Sequence, residues 1–223
     1  MAFKIYLSAA AHEHDNPTKC PNSCGENVHC KKYMDLVEAR LKELGFDVKR
    51  GGKDLVGTAA LQTRVKEANA WGADLYYVAH SNAGGGVYSM TMHYPSSDSQ
   101  KYAEIMHKYR KAAYDGNHKV RARNDLYEIN STSMICLYDE LFFHDDSDAC
   151  KWFHNGGMEK MVEETCQALC EIGKVAYKAP VTENPTTGTL YRVQVGAYSK
   201  KENAIAMQEK LKKAGFDAII KTY

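Results

Sequence analysis

Long apolar runs and an excess of one charge sign are both absent from this 223-residue sequence. No stretch approaches the ~18 consecutive apolar residues that a membrane-spanning helix needs, so we expect no membrane partner. Lys and Arg together number 29 and Asp and Glu 28, which leaves a net charge of +1. Because phosphate neutralisation needs a clear surplus of cations, this balance argues against a nucleic-acid partner. With 44% hydrophobic and 26% charged residues, the composition is typical of a globular protein.

The N-terminus lacks the long apolar segment of a secretory signal peptide, because its apolar stretch, AFKIYLSAAA, is short and soon gives way to polar residues. We therefore expect synthesis as a cytoplasmic product, with reduced thiols. The seven cysteines are an odd number and cannot all pair within one chain. Cys20, Cys24 and Cys30 lie near His29 and raise the alternative of a structural zinc site. The CxxxC spacing with Pro21 inside it favours a loop of reduced thiols instead.

Short apolar segments alternate along the chain with segments of helical periodicity. Strands are predicted at residues 3–7, 46–48, 73–79, 87–94 and 134–137. Helices are predicted at residues 27–44, 58–71 and 97–114 and, with an interruption near Gly156, at 148–176. This alternation is typical of an α/β protein, so we predict a mainly parallel, twisted sheet flanked by helices.

The composition changes after the last of these helices. Residues 177–189 contain two prolines, one glycine and four threonines, which predicts a linker. We therefore predict a main domain at residues 1–176 and a separate unit at 190–223. The strand–helix–strand pattern of the second segment predicts a small C-terminal βαβ unit. At about 35 residues it is too small to bury a core unaided, so we expect it to pair with a second copy or to pack on the main domain.

Polar residues capable of chemistry follow several predicted strands. Ligands of parallel sheets bind beyond the carboxyl ends of the strands, and His12, His80 and Glu140 each lie just after a predicted strand. Two imidazoles and one carboxylate can hold a catalytic zinc with a position left for water, and a further carboxylate can move a proton. Spacing alone is a weak signal, because there is no HExxH motif and a lone histidine is more often a buried, hydrogen-bonded imidazole. The other candidates are His14, Glu26, Asp139, His144, Asp145 and Asp146.

Three consecutive glycines, residues 84–86, follow His80 after a short interval. They lack the Lys-Ser/Thr pair of a phosphate-binding P-loop, so we interpret them as a loop that turns sharply or lies close to a substrate. We interpret residues 144–146 as a solvated turn and helix cap, with His144 also able to contact a substrate.

The segment LQTRVKEANAWGADLYYVAHSNAGGG resembles the central motif of the zinc-dependent N-acetylmuramoyl-L-alanine amidases of bacteria and phages, the amidase-3 type. That motif runs Leu, Arg, Ala-Asn, Gly-Ala-Asp, an apolar strand and then Ser-Ile-His-x-Asn. In that family the histidine binds zinc, so the resemblance implies that His80 is a Zn²⁺ ligand. The matching residues are Leu61, Arg64, Ala68, Asn69, Gly72, Ala73, Asp74, His80 and Asn82.

Three further positions are similar to this family. Glu140, in DELFFHDDSDA, stands where the family has a glutamate that acts as general base and acid, and Glu26 stands where a metal-binding glutamate opens a helix. After the first strand the family has Asp-Pro-Gly-His-Gly, whereas this chain has SAAAHEHDN. His12 is the better ligand candidate by its distance from the strand, and His14 is the alternative. The resemblance therefore implies catalysis by Glu140 and Zn²⁺ held by His12, Glu26 and His80.

The C-terminal segment LYRVQVGAYSKKENAIAMQEKLKKAGFDAIIK resembles half of a SPOR domain, which binds peptidoglycan in septa or the spore cortex. The complete domain has two such halves and this chain carries one. The resemblance implies a peptidoglycan partner and raises the hypothesis of a homodimer formed through the half-repeat, which gel filtration tests.

Together these resemblances predict a hydrolase that cleaves the amide between N-acetylmuramic acid and L-alanine in peptidoglycan. The alternatives are a zinc peptidase that cuts within the stem peptide and a non-catalytic peptidoglycan-binding protein on the same fold. The sequence does not distinguish a phage endolysin from a host autolysin used in sporulation. In either case we expect the protein to reach the cell wall after cell lysis or through a holin.

Overall fold

The computed structural model describes residues 2–20, 24–111, 114–180, 193–216 and 218–222. Its strands are β1 (Lys4–Ala9), β2 (Asp47–Lys49), β3 (Leu75–Asn82), β4 (Ser89–His93), β5 (His118–Ala122) and β6 (Ile135–Phe143). Its helices are α1 (Glu26–Glu43), α2 (Gly57–Trp71), α3 (Ser97–Tyr109), α4 (Tyr127–Ser131), α5 (Ser147–Trp152), α6 (Met158–Gly173) and α7 (Lys201–Lys213). Among the described residues, no helix combines the length and apolar character that crossing a membrane requires.

A single sheet with the strand order β2-β1-β3-β6-β4-β5 organises the main part of the chain. β2, β1, β3 and β6 pair in parallel, and β4 joins β6 in the antiparallel direction while pairing in parallel with β5. The predicted α/β class and mainly parallel sheet are therefore confirmed. Because β1, β3 and β6 are parallel neighbours, their carboxyl ends meet at one edge, where residues following them are brought together.

Helices cover both faces of this sheet. On one face, side chains of α1, α3 and α6 form an apolar cluster with alternate strand residues such as Leu7 and Tyr77. On the other face, side chains of α2 and α4 form a second cluster with the intervening strand residues, such as Tyr6 and Tyr76. This alternation explains the continuous apolar run of β3, because its residues from Leu75 to Ala79 are fully buried.

The helix ends agree with the glycines in the sequence. Gly45 follows the end of α1 with φ of 93°, and Gly72 ends α2 with φ of 66°. Both lie in the left-handed region, where glycine carries no Cβ penalty. The predicted interruption of the last long helix is also present: α5 and α6 are separated by a kinked π-helical segment, Phe153–Gly157, in which Gly156 has φ of 98°.

The chain divides into two compact units, Met1–Lys178 and Ala179–Tyr223. The predicted linker, 177–189, lies outside the described residues from 181 onward, so its boundaries stay a prediction. The second unit contains the helix α7, as predicted. The strands predicted on either side of it are not present in residues 193–198 and 218–222, and residues 190–192 lie outside the described part of the chain. A strand needs a hydrogen-bonded neighbour and a covered face. Val193 and Ile219 are instead 89% and 79% exposed.

Candidate metal centre and catalytic carboxylate

Three of the residues proposed from the sequence converge at the carboxyl edge of the sheet. His12 follows β1, Glu26 is the first residue of α1, and His80 stands near the end of β3. One donor atom from each lies within 4.8 Å of the other two. His12 Nε2 is 3.1 Å from Glu26 Oε2, and His80 Nδ1 is 3.0 Å from Glu26 Oε1. His14 is exposed and does not join this group.

Two asparagines that the sequence analysis did not single out hold this group in place. Asn27 Oδ1 accepts a hydrogen bond from the backbone N–H of His12 at 2.9 Å, and Asn27 Nδ2 donates to the His12 carbonyl at 2.9 Å. Asn16 Nδ2 donates to Glu26 Oε2 at 2.6 Å. These contacts fix an otherwise irregular loop to the start of α1, so His12 faces Glu26.

The electrostatics of the group keep its carboxylate ionised. Burial alone raises the pKa of Glu26, but its contacts with His12 and His80 outweigh burial and hold that pKa far below its usual range. Contact with Glu26 in turn raises the pKa of His12, against the lowering effect of burial. Glu26 is therefore an anion that presents one carboxylate oxygen to His12 and the other to His80.

The donor atoms of the three residues fit a metal ion. His80 Nε2 is buried and has no hydrogen-bond partner, whereas His12 Nε2 lies 3.1 Å from Glu26 Oε2. Buried polar atoms of proteins are nearly always satisfied, so such an orphan needs an explanation. Two imidazole nitrogens and a carboxylate are a ligand set that zinc accepts, and three protein ligands leave a coordination position open. The three residues can therefore bind a metal ion with a site for water or substrate.

Glu140 is the register partner of His80 across β3 and β6. Both residues lie inside their strands rather than just after them, because backbone pairing continues to Asn82 and Phe143. Burial raises the pKa of Glu140 to about 7, and Glu140 Oε2 is buried without a hydrogen-bond partner. A carboxyl group with a pKa near neutrality can both accept and return a proton.

The segment after β6 is more buried than the predicted solvated turn. His144 is 4% exposed, and its Nδ1 lies 2.8 Å from Ser81 Oγ. Asp145 Oδ2 accepts hydrogen bonds from the backbone N–H groups of Gly84 and Gly85 at 2.9 and 3.0 Å and so anchors the glycine loop. The predicted helix cap is confirmed, because the Asp146 side chain accepts two N–H groups at the start of α5.

Other residues of the amidase-like motif have structural contacts. Arg64 donates to the Ala9 carbonyl at 2.6 Å and to Ser8 Oγ at 3.2 Å. Asn69 bonds the Ser131 carbonyl at 3.1 Å, and Asp74 Oδ2 accepts the backbone N–H of Lys4 at 2.8 Å. They tie α2 and the start of β3 to neighbouring elements and so position the strand that carries His80.

A cavity of about 300 Å³ lies beside the three-residue group without including it. It begins at residues 9–11, directly before His12. Four cations and one acid line its wall: Lys31, Arg50, Lys53, Arg64 and Asp54.

Two family models match this sequence. Residues 8–171 match the family model described as N-acetylmuramoyl-L-alanine amidase. Residues 171–222 match the SPOR domain, a longer segment than the half-repeat predicted from residue 190.

Two curated relatives come from bacilli. The N-acetylmuramoyl-L-alanine amidase CwlM of Bacillus licheniformis is 27% identical over 166 residues, which are 73% of this chain and 62% of the relative. A sporulation-specific N-acetylmuramoyl-L-alanine amidase of Bacillus subtilis (strain 168) is 27% identical over 164 residues, 72% of this chain and 62% of the relative. The matches thus span less than two thirds of each relative's length.

The solved catalytic domain of CwlV, an N-acetylmuramoyl-L-alanine amidase from Bacillus (Paenibacillus) polymyxa var. colistinus, superposes with a TM-score of 0.68. It is 19% identical, and the superposition covers 79% of this chain and all of that domain. At this identity the likeness shows a shared fold. Since the family model spans most of the sequence and the fold agrees with it, the chain belongs to the N-acetylmuramoyl-L-alanine amidase family.

Proposed function

We propose that this protein hydrolyses the amide bond between N-acetylmuramic acid and L-alanine in peptidoglycan, with Zn²⁺ held by His12, Glu26 and His80. The observation that carries the proposal is the convergence of these three donors, with the buried His80 Nε2 unsatisfied, beside a carboxyl group with a raised pKa. Family membership supplies the reaction class.

Different residues of the chain bind the metal and transfer the proton. When bound, Zn²⁺ supplies Lewis-acid chemistry that lowers the pKa of a water and polarises the scissile carbonyl. Glu26 contributes the negative charge of the ligand set, and Asn16 and Asn27 keep Glu26 and His12 oriented. Glu140, on the strand next to His80, takes a proton from the attacking water and gives it to the leaving amine nitrogen.

The cavity beside the site suits an anionic part of the substrate. Lys31, Arg50 and Lys53 pair with Asp54, Asp35 and Glu38, and Arg64 adds a fourth cation to the wall, so the cations outnumber these acids by one. Stem peptides carry free carboxylates. We therefore propose that the stem peptide lies along this side, with the muramic acid on the other side of the scissile bond.

The C-terminal unit is proposed to hold the enzyme on the wall, since its residues match the SPOR domain. Pairing of two chains through this unit stays a prediction. Action as a sporulation autolysin is favoured over action as a phage endolysin, because one relative is named as sporulation-specific. The route by which the enzyme reaches the wall is part of this proposal and is tested by fractionating producing cells.

Digestion of purified sacculi tests the reaction. The amidase proposal expects free muramic lactyl carboxylates and intact stem peptides beginning with L-alanine, identified by mass spectrometry, and no such products in the presence of a chelator. Cuts within the stem peptide would favour the zinc peptidase, and binding to sacculi without any product would favour the non-catalytic wall-binding protein.

Replacing His80 by alanine is expected to remove Zn²⁺ from the proposed centre. The substitution removes one of three protein ligands from β3, and the remaining two offer a much weaker site. Zinc content of the purified full chain, measured by mass spectrometry of the metal, should fall by about one ion per chain. The exposed His14, replaced in the same way, is the matched control and should leave zinc content unchanged. Loss of zinc from the His14 variant would identify His14 as a ligand, and full zinc content in His80→Ala would remove His80 from the ligand set.

A further inference from the structure

A second group of metal-ligating side chains lies apart from the proposed catalytic centre. It consists of Cys20, Cys24, His29 and His154, whose donor atoms all lie within 4.8 Å of one another. The group differs from the one suggested by sequence proximity, because Cys30 is not among its donors. His154, 130 residues beyond Cys24, takes its place.

The distances from Cys24 to the two imidazoles agree with tetrahedral coordination. With Zn–S bonds near 2.3 Å and Zn–N bonds near 2.0 Å, adjacent sulfur and nitrogen ligands of a tetrahedral zinc lie roughly 3.5 Å apart. Cys24 Sγ is 3.4 Å from His154 Nε2 and 3.7 Å from His29 Nδ1. One thiol hydrogen can serve only one of these nitrogens, whereas a thiolate and two imidazoles that share an ion place all three donors at such separations.

The contact between His29 and Ser81 is compatible with the ring form that a metal requires. His29 Nε2 lies 2.7 Å from Ser81 Oγ, and that hydroxyl lies 2.8 Å from His144 Nδ1. When Nε2 donates its proton to Ser81, His29 Nδ1 presents a lone pair toward Cys24. Metal-binding histidines of proteins are commonly oriented by such a hydrogen bond from the other ring nitrogen.

The four residues come from three separate parts of the fold. Cys20 and Cys24 lie in the irregular loop between β1 and α1, and His29 is on the first turn of α1. His154 is in the kinked segment between α5 and α6, where Gly156, with φ of 98°, lets the helix direction change. Breaks of this kind in a helix often occur at functional sites. An ion bound here would cross-link the loop that carries His12 to two helices.

We propose that Cys20, Cys24, His29 and His154 form a structural Zn²⁺ site. Four protein ligands close the coordination sphere, which is the arrangement of structural zinc, and the catalytic group has only three. The ion binds as two thiolates replace coordinated water, with the thiol protons released to solvent. Its function is to hold the loop on which His12 and Asn16 depend.

Zinc content of the full chain, purified under reducing conditions without chelator, tests the site. We expect about two ions per chain in the natural sequence and about one in Cys24→Ala. Cys30→Ala is the matched control, since it removes a neighbouring buried thiol outside the group, and should retain both ions. In Co²⁺-loaded protein a sulfur-to-cobalt charge-transfer band should persist in His80→Ala and disappear in Cys24→Ala.

A second variant keeps the proposal testable if Cys24→Ala does not fold. Cys24→His preserves four ligands, so it should retain both ions, while X-ray absorption should show about one sulfur ligand at the closed site instead of two. A natural-sequence protein with no sulfur-bound zinc would overturn the proposal, as would a disulfide between Cys20 and Cys24 or between Cys20 and Cys150, whose thiols are in contact. One sulfur-bound ion per chain would support this site and contradict the catalytic one.

Discussion

Glu140→Gln is expected to lower the rate of wall hydrolysis by roughly 10²–10⁴-fold, the usual contribution of a general acid–base group. The amide retains the shape of the side chain but can neither accept the proton of water nor return it to the amine. Glu140 is outside the three-residue metal group, so zinc content and the unfolding midpoint should remain close to those of the natural sequence. Rates of product release from sacculi, measured alongside zinc content, check this.

The matched control for this experiment is Glu163→Gln. Glu163 is a carboxylate on α6 whose ion-pair partner is Arg40, 3.0 Å away, and it has no contact with the metal group. It should retain nearly full activity. Clearance of walls by Glu140→Gln at a rate near that of the control would reject Glu140 as the proton carrier.

Arg110→Met is expected to lower the free energy of unfolding by about 3–5 kcal/mol. Arg110 and Asp139 form an ion pair in which both side chains are almost completely buried, and Arg110 also donates to the Met161 carbonyl at 3.1 Å and to Thr165 Oγ1 at 2.9 Å. Tyr77 donates to the same carboxylate at 2.8 Å. Methionine fills much of the volume but leaves the buried charge of Asp139 without a cation, supported only by hydroxyl donors.

Urea unfolding followed by circular dichroism measures this loss. Arg123→Met provides the comparison, because Arg123 pairs with Asp125 at the protein surface and such pairs contribute about 0–1 kcal/mol. A loss below ~1 kcal/mol in Arg110→Met would show that Asp139 is not held as a buried charge. Asp139 directly precedes Glu140 on β6, so the pair also supports the strand that carries the proposed catalytic carboxylate.

Periodicity and glycine positions were sufficient to predict most of the central sheet and the helices around it, but the strand ends were placed too early. The predictions ended the strands at their last apolar residues, 79 and 137, whereas pairing between β3 and β6 continues through His80 and Glu140. Polar side chains occur there because the sheet edge forms the site. The edge strand β5, HKVRA, was missed because its alternation is mostly polar.

The candidate site could also be predicted only in part from the sequence. His80, Glu26 and Glu140 could be proposed from motifs. The fold favours His12 over His14, because His12 contacts Glu26 and His14 is exposed. No local signal identifies His154, since it meets Cys24 only after the sheet and the kink between α5 and α6 have formed. The C-terminal strands were predicted from β-propensity alone, which does not supply the neighbouring strand that pairing needs.

The first turn of α1 supplies one donor to each group, since Glu26 and His29 are three residues apart on the same helix. Any rotation or fraying of that turn displaces both donors together. If both ions bind and this turn couples the two sites, each ion changes the affinity of the other site by the same factor. The affinity of the proposed catalytic centre for its metal would then depend on both sites, and oxidation of Cys20 or Cys24 would weaken it without any change in its own ligands.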